Sequence, residues 1–176
     1  MDVRSDVETL SSALESMRED VNQALLDLIQ SEIEAGAGEV AVEAGRVLNA
    51  GGKRLRPLLF LLAYQVAGGT RLDDVMPLAL AFELIHTATL VHDDINDEAQ
   101  QRRGIPTIHA QAGQAKAVIA GDWLFVHGFA LGGRYSEQIV SVIARCCANI
   151  AVSEYHQLDH VCLLYTSDAA DEMDGG

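Results

Sequence analysis

Positive charge is scarce in this chain. Its 176 residues carry twelve lysines and arginines against 26 aspartates and glutamates, a formal net charge of −14, and only Lys53 and Lys116 are lysines. Such a surface repels phosphate backbones and excludes nucleic acid as a partner. Cysteine is nearly absent too. Cys146 and Cys147 are adjacent and Cys162 is distant, which gives neither a metal-ligand spacing nor a disulfide framework and points to a reducing compartment. Long apolar runs are missing. The stretch from Pro57 to Tyr64 is too short to span a bilayer, and the later run from Ala117 to Leu131 is broken by Asp122 and His127. The N-terminus opens on acidic residues instead of a basic, apolar leader. The expectation is a cytoplasmic protein with no transmembrane segment.

What the chain does have is helical periodicity, and its 49% apolar content is enough for a real core. Leu10, Leu14, Met17, Val21, Leu25 and Leu28 recur at three- and four-residue spacing, with Glu15, Arg18 and Glu19 on the opposite side. Gly36 to Gly38 break this pattern, and a second helix is expected from Glu39 to Leu48, ended by Gly51-Gly52. Pro57 suits a helix's first turn, so a third helix should run from Leu58 to Ala67 before Gly68-Gly69. Residues 75–98 are nearly continuous helix former with apolar side chains on several faces, which predicts a central buried helix. Residues 104–107 read as a loop, and Gln114–Leu131 and Glu137–Leu158 as two more helices parted by Gly132-Gly133. No window alternates as a strand should. The predicted fold class is all-α, an antiparallel helical bundle.

The last stretch changes character. Residues 162–176 have no apolar stripe, and their wording, Cys162-Leu163-Leu164-Tyr165-Thr166-Ser167-Asp168-Ala169-Ala170-Asp171-Glu172, resembles translated sequencing-adapter read-through. They are expected to be a non-native or disordered tail, with the domain proper ending at residue 161.

Two clusters carry chemistry. In Leu90-Val91-His92-Asp93-Asp94-Ile95-Asn96-Asp97, helical geometry of roughly 100° per residue puts Asp93 and Asp97 about 40° apart, with His86 on the same face and Asp94 about 100° away from Asp93. Carboxylates this close repel unless a cation lies between them, and a hard ion of the Mg2+ type suits them. Acidic residues at a helix C-terminus can also be a mere solvated end, but each opposes the helix dipole by about 0.3–1 kcal/mol, so three of them call for a cation or a role. The second cluster is Gly51-Gly52-Lys53-Arg54-Leu55-Arg56-Pro57. Its glycines let the backbone turn closely around a ligand, and Lys53 and Arg56 can converge on one anion at a helix start. With Arg102 and Arg103, these segments hold five of the twelve basic residues. That concentration against an acidic background favours anion binding over a plain basic helix end.

Taken with Glu83-Leu84-Ile85-His86-Thr87-Ala88-Thr89 and Arg102-Arg103-Gly104, the two clusters resemble the trans-polyprenyl diphosphate synthases over about residues 15–160. Gly121-Asp122-Trp123-Leu124-Phe125 and Glu154-Tyr155-His156-Gln157-Leu158 resemble that family's following helices. The resemblance implies a helical bundle of the isoprenoid synthase type in which Asp93 and Asp97 bind Mg2+ that bridges to the diphosphate of an allylic substrate, gripped also by Arg102. It implies that Lys53, Arg56, His86 and Arg103 hold the diphosphate of isopentenyl diphosphate, whose double bond attacks the allylic carbon as diphosphate leaves. No side chain acts as a nucleophile. Ala88 and Thr89, one turn before the first aspartate, are small, and the motif lacks a two-residue insertion, which implies a geranylgeranyl or longer product. A homodimer is implied for the full-length parent.

The departures from that family are a chain about half its usual length and the lack of a second aspartate-rich motif, since Asp168 to Asp174 has neither the spacing nor the helical context for one. The expectation is therefore a truncated bundle and an inactive fragment of a prenyltransferase. A non-catalytic partner subunit of a heteromeric synthase is the alternative, though it would not need Lys53, Arg56, Asp93, Asp97, Arg102 and Arg103. A terpene cyclase would have no second diphosphate for Lys53 and Arg56 to hold.

Overall fold

The computed structural model describes the backbone over residues 3–171 and the side chains over residues 9–158. Seven α-helices occur among the described residues: α1 (Val3–Glu34), α2 (Glu39–Asn49), α3 (Leu55–Val66), α4 (Met76–Asn96), α5 (Ile108–Ala112), α6 (Gln114–Gly132) and α7 (Glu137–Asp171). A single 3-10 turn, Leu72–Asp74, leads into α4. The chain divides into two compact units, residues 1–134 and 135–176. The all-α expectation holds. No helix among the described residues is long and apolar enough to cross a membrane.

In the first unit α4 is the central element. Its buried side chains run from Leu78 to Asp94 and cover more than one face, as its unstriped apolar sequence predicts. The α6 helix packs against it most extensively, and small residues allow the approach: a Cβ on Gly128 would stand 2.7 Å from Ile85 Cγ1 and 3.2 Å from the Ala81 carbonyl oxygen. The α1 helix buries Met17, Val21, Leu25 and Ile29, a stripe at four-residue spacing. Leu10 is 56% exposed, so the stripe read from Leu10 onward is covered only from Met17.

Helix ends follow local chemistry. In α3 the Gly69 N–H donates to Tyr64 O and Gly68 N–H to Gln65 O, both at 2.9 Å, with Gly68 at φ +93°. This 6→1 and 5→2 pair satisfies the last carbonyls. The same closure ends α4, where Ala99 N–H donates to Asp94 O and Glu98 N–H to Ile95 O, but Glu98 takes the left-handed φ of +51°. Pro57 sits in the first turn of α3, which begins at Leu55, three residues earlier than expected.

Two expectations are corrected here. The segment read as strandless loop holds a miniature antiparallel hairpin, β1 (Gln101–Arg102) paired with β2 (Ile105–Pro106) in the register Gln101 opposite Pro106 and Arg102 opposite Ile105. Two-residue strands are too short for alternation to register in sequence. The turn between them, Arg103-Gly104, has φ of +52° and +78°, positive at both central positions as the twist of a tight hairpin requires. Beyond it, Thr107 caps α5, accepting from Ala110 N–H and donating to Ala99 O at 2.7 Å.

The second unit is α7, which continues to Asp171, well past the expected helix end at Leu158. From Glu137 to Asp171 the sequence has no glycine or proline to stop it. The expected tail at 162–176 lies otherwise outside the described residues: side chains from Asp159 onward and everything beyond Asp171. Of the described side chains of α7, Ile143 is buried, while Val142, Ile150, Val152, Tyr155 and Leu158 are exposed.

Candidate diphosphate and metal site

The site forms where the loop between α2 and α3, the C-terminal half of α4 and the hairpin come together in the first unit. Its foundation is Arg54, a residue not expected to differ in role from its basic neighbours. Arg54 adopts φ +49° and ψ +34° as the N-cap of α3 and is only 4% exposed. Its Nη1 donates to Glu83 Oε1 at 2.8 Å, Nε to Asn22 Oδ1 at 2.8 Å and Nη2 to Leu48 O at 2.7 Å. Both side chains of the Arg54–Glu83 pair are 4% exposed. A dry pair is a weak source of net stability but costs about 3–5 kcal/mol when one partner is removed, because the other charge is stranded. With Arg54 turned inward, Lys53 and Arg56 on either side are exposed.

One turn along α4 from Glu83 stands His86, half-buried. Burial and then the Arg56 guanidinium hold its pKa below the ordinary 6.5; Arg103 and Arg102 add to this, and only Glu83 pulls the other way. Three guanidiniums acting on one imidazole define a cationic focus that an anion would relieve. The ring itself leans to the neutral form there, able to donate or accept one hydrogen bond.

The hairpin closes this focus. The Arg103 guanidinium donates to the Gly51 carbonyl and lies against Gly52, where an added Cβ would stand 2.9 Å from Arg103 Nη1. Gly52, at φ +149°, is needed both for its backbone conformation and for this close approach. Arg102 turns the other way. Its Nε donates to Asp94 Oδ1 at 2.6 Å, with side chains 31% and 5% exposed. Arg46 braces the hairpin from α2, donating through Nη1 to Pro106 O at 2.7 Å. Thr87, Leu90, Asp94, Arg102 and Arg103 line a small cavity beneath.

Asp93 and Asp97 occupy the last turn of α4 and its C-cap, Asp93 half-buried and Asp97 exposed. The Asp97 N–H donates to Asp93 O at 2.8 Å, so the helix persists to the cap and keeps the two carboxylates on neighbouring positions of one face. Among the described residues no group of three or more His, Cys, Asp or Glu is placed to hold a metal. The donor set therefore fits Mg2+ in one manner only: as an ion held by one or two carboxylates, with its other positions filled by water and substrate oxygens, and not as an all-protein cage.

Of the seven residues singled out in sequence, Arg103 touches the glycine loop beside Lys53, the charges of Arg56, Arg103 and Arg102 are felt at His86, Arg102 turns to Asp94, and Asp93 and Asp97 stand one turn apart. Sequence reasoning missed Arg54, Glu83, Asn22 and the part played by Asp94. The angular offset of Asp94 from Asp93 was the one signal that it points elsewhere.

A family model described as polyprenyl synthetase matches residues 40–173. The chain belongs to this family. Among relatives, it is 38% identical over 128 residues to a geranylgeranyl diphosphate synthase of Methanosarcina mazei, a match covering 69% of this chain and 39% of that protein. Among solved structures, the geranylgeranyl pyrophosphate synthetase of the archaeon Geoglobus acetivorans superposes with a TM-score of 0.76 and 32% identity, over 84% of this chain and 49% of that one. A polyprenyl synthase from Caulobacter crescentus, solved with calcium and isoprenyl diphosphate, superposes with a TM-score of 0.74 and 37% identity, over 82% and 44%. The chain thus spans less than half the length of the curated relatives it matches. Members of a family with these names are prenyltransferases, and the helical fold agrees with theirs.

Proposed function

We propose that this chain supplies the two diphosphate-binding surfaces of a prenyltransferase that condenses isopentenyl diphosphate with an allylic prenyl diphosphate. The observation that carries the reading is the closure of the Arg103 guanidinium onto the Gly51-Gly52 loop that leads into Lys53 and Arg56, beside the positive charge felt at His86, which lies about two to three turns before Asp93 and Asp97 on the same helix.

Lys53, Arg56, His86 and Arg103 hold the isopentenyl diphosphate. Arg54 keeps the loop that carries Lys53 and Arg56 open toward the ligand, and Arg103 closes it from the hairpin. Arg102 faces the allylic diphosphate while Asp94 orients its guanidinium. Asp93 and Asp97 would hold Mg2+, as fits their spacing, and when bound the ion would supply neutralisation of the charge that builds as diphosphate departs. The allylic carbon takes the electron pair of the isopentenyl double bond as its own bond to diphosphate breaks, and the resulting cation passes a proton to the departing diphosphate, restoring an alkene. Binding geometry contributes the rest, because two anions that repel in water are held in register by fixed cations.

Ala88 is fully buried and Thr89 half-buried one turn before Asp93. Small side chains there leave room for chain growth, which supports a geranylgeranyl or longer product, in keeping with the name of the Methanosarcina relative. The exposed apolar residues Val118, Ile119 and Val126 of α6 support a homodimer. With two carboxylates of a metal cluster among the described residues, the 176 residues are expected to bind both substrates and turn over little by themselves.

Filter binding with radiolabelled isopentenyl diphosphate and farnesyl diphosphate tests this. The wild-type chain should retain both, the farnesyl label only with magnesium, and Lys53→Ala/Arg56→Ala should lose the isopentenyl label selectively. Retention of neither label would overturn the reading.

A further inference from the structure

The two arginines of the Lys53–Pro57 segment do opposite things. Arg56 is exposed and acts on His86, while Arg54 is buried and tied at all three guanidinium nitrogens to Glu83, Asn22 and Leu48. Glu83 and His86 stand one turn apart on α4, so the place where Arg54 docks sets the place where Arg56 arrives. A left-handed Arg54 backbone at the start of α3 makes this docking an uncommon conformation for a residue with a Cβ, held because three hydrogen bonds over-determine it. The partners come from three different elements: α1 through Asn22, the C-terminal end of α2 through Leu48, and α4 through Glu83. A loop bonded to three helices at once cannot shift along α4 without breaking all of them.

We propose that the buried Arg54–Glu83 pair, with Asn22 and Leu48, is a positioning device that sets the register of Lys53 and Arg56 on α4 for the isopentenyl diphosphate. This rests on the diphosphate reading above. Arg54 and Glu83 do not touch substrate. They act through Arg56 and His86; a hydrophobic pair of similar volume can keep the fold but lacks the three directional hydrogen bonds that fix this loop on its neighbours.

The test compares the 176-residue wild-type chain with Arg54→Met and Arg54→Met/Glu83→Met. Inorganic pyrophosphate is titrated calorimetrically without magnesium, so that only the cationic side is probed, and melting temperatures are recorded. Arg54→Met should melt well below wild type. The double variant should recover most of that loss yet bind pyrophosphate at least tenfold more weakly, a ratio worth about 1.4 kcal/mol. A double variant with wild-type affinity overturns the proposal. If the double variant does not fold, Arg54→Gln/Glu83→Gln makes the same comparison.

The ligand-free protein gives an independent readout. In the double variant, loss of Glu83 alone would lower the His86 pKa further, whereas departure of Arg56, the larger charge influence, would raise it. NMR titration of His86 showing a rise supports loss of register, and a fall overturns it. Failure of the wild-type chain to bind pyrophosphate would instead count against the diphosphate reading, leaving the His86 result to decide the positioning.

Discussion

Removing the carboxylate of Asp94 should loosen the hairpin and disorient Arg102. In the folded protein Arg102 Nε donates to Asp94 Oδ1 at 2.6 Å, the aspartate 5% and the arginine 31% exposed. Breaking a fully buried pair costs about 3–5 kcal/mol, and a charge-assisted hydrogen bond contributes about 1.5–3 kcal/mol. Because water reaches nearly a third of the Arg102 side chain, it recovers part of the loss when its partner goes. Asp94→Ala should therefore cost about 2 kcal/mol. For the first unit, of 134 residues, this corresponds to a fall of about 6–10 °C in melting temperature. Circular dichroism at 222 nm follows the transition. Asp94→Asn, which keeps an acceptor oxygen and loses the charge, should fall between the two. Binding of pyrophosphate with magnesium should weaken in Asp94→Ala although the positive charge of Arg102 is retained, because its direction is lost. An unchanged melting temperature together with unchanged affinity would refute the assignment of Asp94 as the residue that orients Arg102.

Two further outcomes follow from the packing and from His86. Gly128→Ala should destabilise by about 1–3 kcal/mol through overpacking against Ile85 and the Ala81 carbonyl, read as a lowered melting temperature, and a raised melting temperature would contradict the α4–α6 contact. His86 has a folded pKa below the ordinary 6.5, so below that pH the unfolded chain takes up a proton the folded chain resists. Its contribution to stability is present above pH 6.5 and declines as pH falls through the window beneath it. The urea midpoint should accordingly drop more between pH 7.5 and 5.5 in wild type than in His86→Gln, while pyrophosphate affinity should rise over the same interval because the anion favours the protonated ring. Identical pH dependence in the two proteins would contradict the cationic surroundings of His86.

Helices of this protein are legible in its sequence because their apolar positions and glycine stops are local. The reach of α4 and the breaks at Gly36–Gly38, Gly51-Gly52 and Gly68-Gly69 need no tertiary information. The site divides differently. Lys53, Arg56, His86, Arg102, Arg103, Asp93 and Asp97 stand out by residue type and spacing. The groups that orient them do not. Arg54 meets Glu83 and Asn22, 29 and 32 residues away in sequence, and Arg103 meets Gly51 across 52 residues; no periodicity encodes such pairs. A run of three basic residues in four looks uniform until one of them takes a left-handed backbone and turns inward. The hairpin escaped notice for another reason: its strands have two residues each, and its signal is the positive φ of Arg103, an arginine where asparagine, aspartate or glycine would have announced the turn. Beyond Leu158, the continuation of α7 to Asp171 follows from the absence of any breaker, a weaker cue than the loss of an apolar stripe that suggested a tail.

The proposed diphosphate site has two sides, one cationic around His86 and one metal-dependent at Asp93 and Asp97. Calorimetric titration of the wild-type chain with inorganic pyrophosphate, run first with EDTA and then with magnesium, tests it most directly. One site should fill without metal and a second should appear when magnesium is added, with the second absent in Asp93→Asn/Asp97→Asn. A single class of site indifferent to magnesium, or no binding in its absence, would contradict the claim.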